Sequence, residues 1–392
     1  MSNDLDKNKK VPNVPNLRFP EFIEKYNSKR FTDALMFLNS NTFSRDMMNY
    51  ESGKFKNIHY GDILIKLPTL VDCDNILLPF VNDNIFISPK LNLLKTGDIV
   101  IADTAEDYTA GKAIEIKNKS SRVISGLHTI SCRPNFEFYN GYLGYYLNSF
   151  TFRKNLLPLI QGIKVFSVSK YMYNFLFINY PSMMEQKKIT NLLLNIDARI
   201  QTQNKIIDNL KSQIKSISSR VYKLFSKTSK LSELISFEKK TNHKSEEGLK
   251  EGRYPFYTNE ENQKKFFNSY DFDGLFILSN TGGRANFKIA NGKFAVMSDT
   301  LVIKFKTPLL ARTYINFLQN NTEKISHDLF AGSGLKHLDK NAFLNMNVPL
   351  VDKDLSIINK LFETLDNKLI NEKKYLSLLI IQKQYLLNNL FI

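Results

Sequence analysis

Two long stretches of the chain place apolar residues in alternating steps of four and three, and no other feature constrains the fold as strongly. The first stretch runs from Ile189 to Leu224, with Gln203 as one polar interruption. Glycine and proline are absent from residues 183–231, so we predict one unbroken helix over about residues 185–226, roughly 60 Å long. A helix with such a seam pairs with another helix in a coiled coil.

A second seam follows Pro349 and continues to Leu390, interrupted at Glu372 and Lys383. Because the two helices are of similar length and residues 227–349 can return the chain, we predict that they pair antiparallel within one molecule. The second helix also has a wider apolar stripe than one seam requires, which indicates more than one partner surface. The additional apolar positions are Leu361, Tyr375, Leu378, Ile381 and Tyr385.

The two halves of the chain resemble each other in the segment that precedes each seam. Gln161-Gly162 corresponds to Ala331-Gly332, and Pro181 corresponds to Pro349, at an offset of about 169 residues. This correspondence indicates a tandem duplication. Each copy would be a mixed body, then a strand that ends at a proline, then a long helix.

Within the two bodies, runs of β-branched and aromatic residues bounded by Gly, Asn and Asp indicate strands. They outnumber helices and show no regular βαβ alternation, so we expect α+β bodies. The predicted strands are residues 62–67, 98–102, 123–130, 275–278, 294–297 and 300–305, and the predicted short helices are residues 142–148 and 309–319.

Composition narrows the class of protein. A length of 392 residues predicts two or three domains, and 43% hydrophobic with 23% charged residues is typical of a folded globular chain. Two cysteines, Cys73 and Cys132, are too few for a disulfide framework. With no run of 18 apolar residues and no signal peptide, we expect a cytoplasmic protein that does not enter the membrane.

The charge balance favours a polyanionic partner. The chain carries 54 basic and 38 acidic residues, a net charge of +16. Nucleic acid is the usual partner of such a surface. The excess is spread over both halves and is not gathered in a tail, as expected if two separate bodies each contact a phosphate backbone.

Motifs for catalysis are nearly absent. The Gly-Lys pairs are not followed by Ser or Thr, which excludes a P-loop, and neither a methyltransferase Pro-Pro-aromatic motif nor a cofactor-binding glycine loop is present. Asp103 with Glu115 and Lys117 imitates a metal-dependent nuclease pattern, but the pattern is common by chance. The histidines lack metal-ligand spacing. We therefore expect no catalytic residue, no metal site and no cofactor bound by this chain.

Polar loops with cations and flat side chains are the remaining candidates for function. Arginine can bind guanine with two hydrogen bonds, asparagine can do so with adenine, and lysine neutralises phosphates. The predicted DNA-binding residues are Lys112, Lys117, Lys119 and Arg122 in the first half, and Arg253, Tyr257, Thr281, Arg284, Asn286 and Lys288 in the second.

Duplicated α+β bodies alternating with long helices resemble the specificity subunits of type I restriction-modification systems. Local motifs in both halves are similar to those of the target recognition domains in that family, and the two halves resemble different variants of such domains. These motifs are NLRFPEF at 16–22, AED at 105–107, GKA at 111–113, GLHTI at 126–130, YPFY at 254–257, TGG at 281–283 and GKFA at 292–295.

The resemblance implies a non-catalytic DNA-binding subunit that recognises a bipartite target and directs other subunits to it. Partners would be double-stranded DNA, two copies of the modification methyltransferase and the restriction subunits; S-adenosylmethionine, ATP and Mg would belong to those subunits. It also implies five segments: an N-terminal segment (1–27), target recognition domain 1 (28–181), helical region 1 (182–226), target recognition domain 2 (227–349) and helical region 2 (350–392).

For the methyltransferase we expect a docking surface on the wide stripe of the second helix and on the basic outer face of the first. Two alternatives remain at this stage: a self-contained methyltransferase or nuclease, and a coiled-coil DNA-binding regulator without enzyme partners. The bases recognised and the spacer between half-sites do not follow from the sequence. The predicted docking residues are Lys211, Lys215, Leu361, Leu378 and Ile381.

Overall fold

A computed structural model describes residues 14–260, 263, 265–351 and 354–392. The chain divides into two compact units, Met1–Thr202 with Leu376–Ile392, and Gln203–Tyr375. Both long helices continue across this division, so each unit contains a part of each helix. Residues 1–13 of the predicted N-terminal segment lie outside the described residues, and the five predicted domain boundaries remain predictions.

The first unit is a mixed body of short strands and helices followed by the start of the first long helix. Its elements are β1 (Asn27–Arg30), α1 (Phe31–Ala34), β2 (Leu35–Leu38), β3 (Met48–Asn49), β4 (Lys56–Ile58), α2 (Tyr60–Ile65), β5 (Leu70–Asp72), β6 (Phe80–Val81), β7 (Ile99–Ala102), β8 (Thr104–Ala105), β9 (Ala113–Lys117), β10 (Val123–Ser125), β11 (Thr129–Pro134), α3 (Tyr142–Leu147), α4 (Phe150–Leu156), β12 (Phe166–Ser167), β13 (Phe177–Tyr180) and α5 (Met183–Lys223).

Two sheets organise this body, in the orders β2-β11-β7-β9-β5 and β10-β4-β6-β3. The central strand β7 is buried along its whole length, as its unbroken apolar sequence requires. Helix α3 contributes Tyr142, Tyr145 and Tyr146 to the core, all nearly inaccessible to solvent. The mixed α+β character predicted from the sequence is confirmed.

Two predicted strands of this unit are wrong. Residues 62–67 include helix α2 because His59 caps its first turn by accepting a hydrogen bond from the Gly61 N–H. Ile63 is then buried while Ile65 faces solvent, whereas in a strand the two side chains would lie on the same face. Residues 123–130 form two strands in different sheets, β10 and β11, since the chain turns at His128, whose φ is 53°.

The second unit contains one larger sheet, in the order β15-β20-β18-β19-β16-β17. Its elements are β14 (Thr228–Lys230), β15 (Ile235–Phe237), β16 (Tyr254–Tyr257), β17 (Lys265–Phe267), β18 (Phe272–Asn280), β19 (Lys288–Val296), β20 (Thr300–Phe305), α6 (Pro308–Asn320), α7 (Thr322–Leu329), β21 (Phe330–Ala331), β22 (His337–Leu338), α8 (Lys340–Leu344), β23 (Asn347–Pro349) and α9 (Leu355–Asn389).

Each body is closed by a short antiparallel ladder between its first and last strands. In the first unit β1 pairs with β13, with Asn27 opposite Tyr180. In the second unit β14 pairs with β23, with Thr228 opposite Pro349. The chain therefore enters and leaves each body at one place, next to a long helix.

The two long helices run antiparallel within each unit, as predicted. In the first unit, Asn179 donates a hydrogen bond to the carbonyl of Ile392 at 3.0 Å, and Asp197 forms an ion pair with Lys383 at 2.5 Å. Later residues of α5 therefore contact earlier residues of α9, so the two helices run in opposite directions.

The second unit shows the same direction. The Gln203 amide donates to the Glu372 carboxylate at 2.6 Å, and the rings of Tyr222 and Phe362 stack at 6.2 Å. One seam position is wrong: Leu224 is 80% exposed because α5 ends at Lys223.

The polar interruptions of the seams are bonded to partners on the facing helix. Gln203 and Glu372 are paired in the second unit, and Lys383 is paired with Asp197 in the first. Asp197 also accepts a hydrogen bond from the Tyr145 hydroxyl at 2.7 Å. Matched polar positions of this kind favour one register over others that are equally apolar.

Replacing Glu372 with leucine tests this pairing. We expect Glu372→Leu to lower the free energy of unfolding by about 1–3 kcal/mol, because the buried Gln203 amide loses its charged acceptor and keeps only the backbone carbonyl of residue 372. Adding Gln203→Leu should recover most of that loss by making the seam apolar. Urea unfolding followed by helical circular dichroism measures both variants.

Glu363→Leu is the matched control, because Glu363 lies on the exposed face of the same helix. It should change the free energy of unfolding by less than about 0.5 kcal/mol. A double variant as unstable as Glu372→Leu alone would contradict the pairing.

Candidate nucleic-acid interface

The loop between β8 and β9 in the first unit is held by the Arg153 side chain of α4 and by a side-chain hydrogen bond within the loop. The Arg153 guanidinium donates hydrogen bonds to the carbonyls of Ala110 and Tyr108, the first at 2.7 Å. Asp107 accepts from the backbone N–H of Thr109 at 2.8 Å. These bonds leave the Tyr108 ring exposed at the surface.

Lys112, at the end of this loop, is turned towards the protein. Its ammonium donates a hydrogen bond to the carbonyl of Leu64 at 2.9 Å, and burial lowers the pKa of the Lys112 side chain. A phosphate contact by Lys112 would require the side chain to leave this carbonyl.

The other three predicted cations of the first unit surround a turn at the opposite end of β9. Lys117 forms an ion pair with Asp72 at 2.9 Å, and the Arg122 guanidinium lies 5.7 Å from the centre of the Phe55 ring. Lys119 is exposed. Since β9 has five residues, about 16 Å of strand separates this turn from Lys112. The structure therefore does not gather the four cations into one patch.

A single carboxylate organises that turn. Asp74 accepts hydrogen bonds from the backbone N–H groups of Lys119 and Ser121, at 2.8 and 3.0 Å, and from the hydroxyls of Ser120 and Ser121. The hydrogen bond from the Lys119 backbone is the first of the contacts that hold the pKa of Asp74 well below its ordinary value. The Lys119 side chain thus projects from a fixed backbone.

The second unit brings several predicted residues to one polar cavity of about 530 Å³. Arg284 and Asn286 lie on the loop between β18 and β19, which is held by a hydrogen bond from the Ala285 N–H to the Ser326 hydroxyl at 3.0 Å. Ala285 is the single apolar residue in the described lining. The remaining lining residues are Lys215, Asn259, Asn280, Gln319, Asn320, Thr322 and Glu323.

Two further predicted residues lie beside this loop, and two lie at opposite ends of β16. Thr281 donates a hydrogen bond to the Asp299 carbonyl at 2.9 Å, and Lys288 donates to the Thr258 carbonyl at 3.2 Å. Tyr257 ends β16, and burial raises its pKa. Arg253 precedes β16 and is exposed, so the length of that strand separates it from the cavity.

The predicted docking residues occupy different surfaces. Lys215 lines the cavity with Arg284 and is therefore placed among candidate DNA contacts, whereas Lys211 is exposed and paired with Asp208 at 3.2 Å.

On α9, Leu378 and Ile381 are exposed on the face away from the seam. Leu361 is also exposed but lies at a position flanking the seam. The three apolar residues therefore do not form one continuous stripe.

The nuclease-like pattern is not assembled. Glu115 is buried and accepts hydrogen bonds from the N–H groups of Gly141 and Gly144, at 2.5 and 2.8 Å. Burial raises its pKa to about 7, although these hydrogen bonds oppose the rise. Lys117 is paired elsewhere, as described above. Within the described residues, His, Cys, Asp and Glu form no group of three able to hold a metal ion.

Sequence reasoning missed a hairpin that adjoins the candidate loop in each unit. Residues 161–167 contact β8 through Phe166, which pairs with Ala105. Residues 330–338 contact the loop after β18 through a bridge between Gly282 and His337. Both hairpins contain the positions that revealed the duplication, and that correspondence was the available signal.

Comparisons with known proteins agree with this architecture. Residues 226–379 match the family model of the type I restriction modification DNA specificity domain. The S subunit of a type I restriction-modification system from M. genitalium aligns with a TM-score of 0.56 and 17% identity, over 97% of this chain and 99% of that one.

A structure described under complex assembly and conformational transition of the type I R-M system aligns with a TM-score of 0.55 and 11% identity, over 92% of this chain and 96% of that one. No curated protein gives a significant sequence match. Among the described residues, no helix is both long and apolar enough to cross a bilayer.

Residues 226–379 are thus similar to a type I DNA specificity domain, in a chain whose fold is that of the S subunit from M. genitalium.

Replacing Arg284 tests the cavity as a DNA-reading surface. We expect Arg284→Ala to weaken binding to the target DNA by about 1–3 kcal/mol if its guanidinium binds a guanine. Arg312→Ala removes the same charge from an exposed position on α6 and should have a smaller, sequence-independent effect. Titrations with target and scrambled duplexes distinguish the two. Equal losses for both variants on both duplexes would exclude Arg284 from base recognition.

Proposed function

We propose that this chain recognises a bipartite DNA target and directs methyltransferase and restriction subunits to it. The observation that carries the proposal is the duplication: each unit has a closed body, a candidate loop and an adjoining hairpin. Because the two bodies differ in sequence and sheet order, each would recognise a different half-site. The gap between half-sites would be set by the helices that connect the bodies.

The net charge of +16 supports DNA as the ligand. Cations that neutralise phosphates supply sequence-independent affinity, and the polar side chains of the candidate loops would supply specificity. Lys119 and Arg122 fit the first role, since both are exposed on a fixed turn. Arg284 and Asn286 fit the second role because they share a polar cavity.

The methyltransferase would dock on the exposed face of α9. Leu378, Ile381 and Tyr385 are exposed on the last turns of that helix, although its seam is already filled by α5. An apolar face left over after the seam is satisfied is suited to helices of another protein. We propose two methyltransferase copies, one for each repeated unit, and restriction subunits that join through the same helical region.

In this proposal, S-adenosylmethionine, ATP and Mg are bound by the partner subunits, and the complex works in the cytoplasm. The sequence supports this division because it lacks a P-loop and the motifs of an adenine methyltransferase. Purified chain that methylates or cuts DNA by itself would contradict it.

A DNA-binding regulator without enzyme partners is the remaining alternative, and co-purification with a methyltransferase distinguishes the two.

Charged substitutions on α9 test the docking surface. We expect the double variant Leu378→Asp, Ile381→Asp to lose co-purification with the methyltransferase, because burying two carboxylates against an apolar surface is costly. The variant should keep its helical circular dichroism, since both side chains lie outside the seam. Phe86→Asp, at an exposed site outside the helices, is the control and should co-purify normally. Retention of the methyltransferase by the double variant would place the docking surface elsewhere.

Exchange of one body tests the bipartite target. We expect a chain in which residues 227–349 are replaced by the corresponding segment of a relative to methylate a target altered in one half. The ladder that brings Thr228 opposite Pro349 supports this outcome, because the exchanged segment begins and ends at one place. Genome-wide mapping of methylated adenines measures the target. A hybrid that folds but alters both halves would contradict separate reading by the two bodies.

A further inference from the structure

The two hairpins beside the candidate loops share one arrangement. In the first unit, Gln161 and Ser167 exchange backbone hydrogen bonds of 2.9 and 2.7 Å. Phe166, which precedes Ser167, pairs with Ala105, and its ring lies 4.6 Å from that of Tyr108. The hairpin is therefore fixed to the loop that carries the exposed Tyr108.

The second unit repeats this attachment. Strands β21 and β22 pair through Phe330 with Leu338. The Gly283 N–H donates a hydrogen bond to the Lys336 carbonyl at 2.8 Å, and the Leu338 N–H donates to the Thr281 carbonyl at 3.0 Å. This hairpin is likewise fixed to the loop that carries Arg284.

Both tips present an aliphatic side chain followed by lysine. Ile163 is 94% exposed and precedes Lys164, and Leu335 is 69% exposed and precedes Lys336. A single exposed aliphatic residue is ordinary on a protein surface. Each hairpin tip thus presents an aliphatic-lysine pair beside a candidate DNA loop, beginning one residue after the glycine in the first hairpin and three residues after it in the second, and this favours a shared ligand.

The backbone at the start of each tip has a conformation that requires glycine. Gly162 has a φ of 129°, and a Cβ there would lie 1.9 Å from the Val165 carbonyl oxygen. Gly332 has a φ of 142°, and a Cβ there would lie 3.0 Å from the Leu335 carbonyl oxygen. Such φ values favour glycine. The hairpins therefore hold their apolar side chains on a constrained backbone.

We propose that Ile163 and Leu335 insert between adjacent base pairs of the bound DNA, while Lys164 and Lys336 contact the flanking phosphates. Exposed aliphatic side chains beside cations suit this role, because an aliphatic wedge can separate stacked bases while the cations neutralise the backbone. The inference rests on the proposed function, since it requires that the adjoining loops bind DNA. Each wedge would act within the half-site of its own unit.

Site-specific crosslinking tests the contact. The two native cysteines, Cys73 and Cys132, are fully buried, so Ile163→Cys or Leu335→Cys adds one accessible thiol to the full chain. Each variant would be labelled with benzophenone maleimide and irradiated, together with the methyltransferase and a target duplex. We expect crosslinks to DNA from both positions. Ile23→Cys, at a site that is 87% exposed in the same unit as Ile163, is the control and should give none.

Base stacking provides a second measurement. With 2-aminopurine at successive positions of the methylated target, the wild-type complex should show enhanced fluorescence at one step in each half-site. Ile163→Ser should abolish the enhancement in one half only and weaken binding about tenfold, which equals about 1.4 kcal/mol. Ile163→Leu should retain both. Lys164→Gln should lower the salt dependence of binding by about one phosphate contact.

The outcomes separate this inference from the proposed function. If the wild-type chain with its methyltransferase fails to bind DNA, both are wrong. If it binds DNA but crosslinks form with the methyltransferase, or Ile163→Ser leaves fluorescence and affinity unchanged, the wedge alone is wrong. Crosslinks to DNA together with loss of fluorescence in one half support it.

Discussion

The hydrogen bond between Gln203 and Glu372 and the ion pair between Asp197 and Lys383 set the register on which both units depend. Leucine and isoleucine alone would allow the helices to slide by a heptad with little loss of apolar contact. A slide in either unit would leave an amide or a charge without its partner, and such groups are costly to bury. The register therefore fixes which residues of α5 and α9 lie beside each body.

The helical part of the fold could be predicted because it follows from local periodicity. Two seams free of glycine and proline predict two helices, and their polar interruptions lie opposite matching partners. The bodies were less predictable because tertiary contacts decide them. His59 converts an apolar run into helix α2 by capping its first turn, and a turn at His128 divides one apolar run between two sheets. Neither effect is visible in the spacing of apolar residues.

The candidate interface was predictable by residue type but not by position. Lys112 and Lys117 are close in sequence, yet a strand places them at opposite ends, each held by an internal acceptor. Lys215, on a long helix, lines the cavity of Arg284 although some 70 residues separate them. Composition identified cations that favour DNA, whereas their grouping depends on sheet order. The hairpin tips could not be predicted from the sequence, because one aliphatic residue beside one lysine is not a motif.

The buried Glu115 couples folding of the first unit to proton uptake. In an unfolded chain this carboxyl ionises near its ordinary pKa of about 4.5, whereas in the folded unit burial raises the pKa to about 7. Between these two values the folded state holds a proton that the unfolded state has released. The contribution of Glu115 to stability is therefore greatest below about pH 4.5 and declines as the pH rises towards 7. Above that range, the N–H groups of Gly141 and Gly144 solvate a carboxylate that water cannot reach.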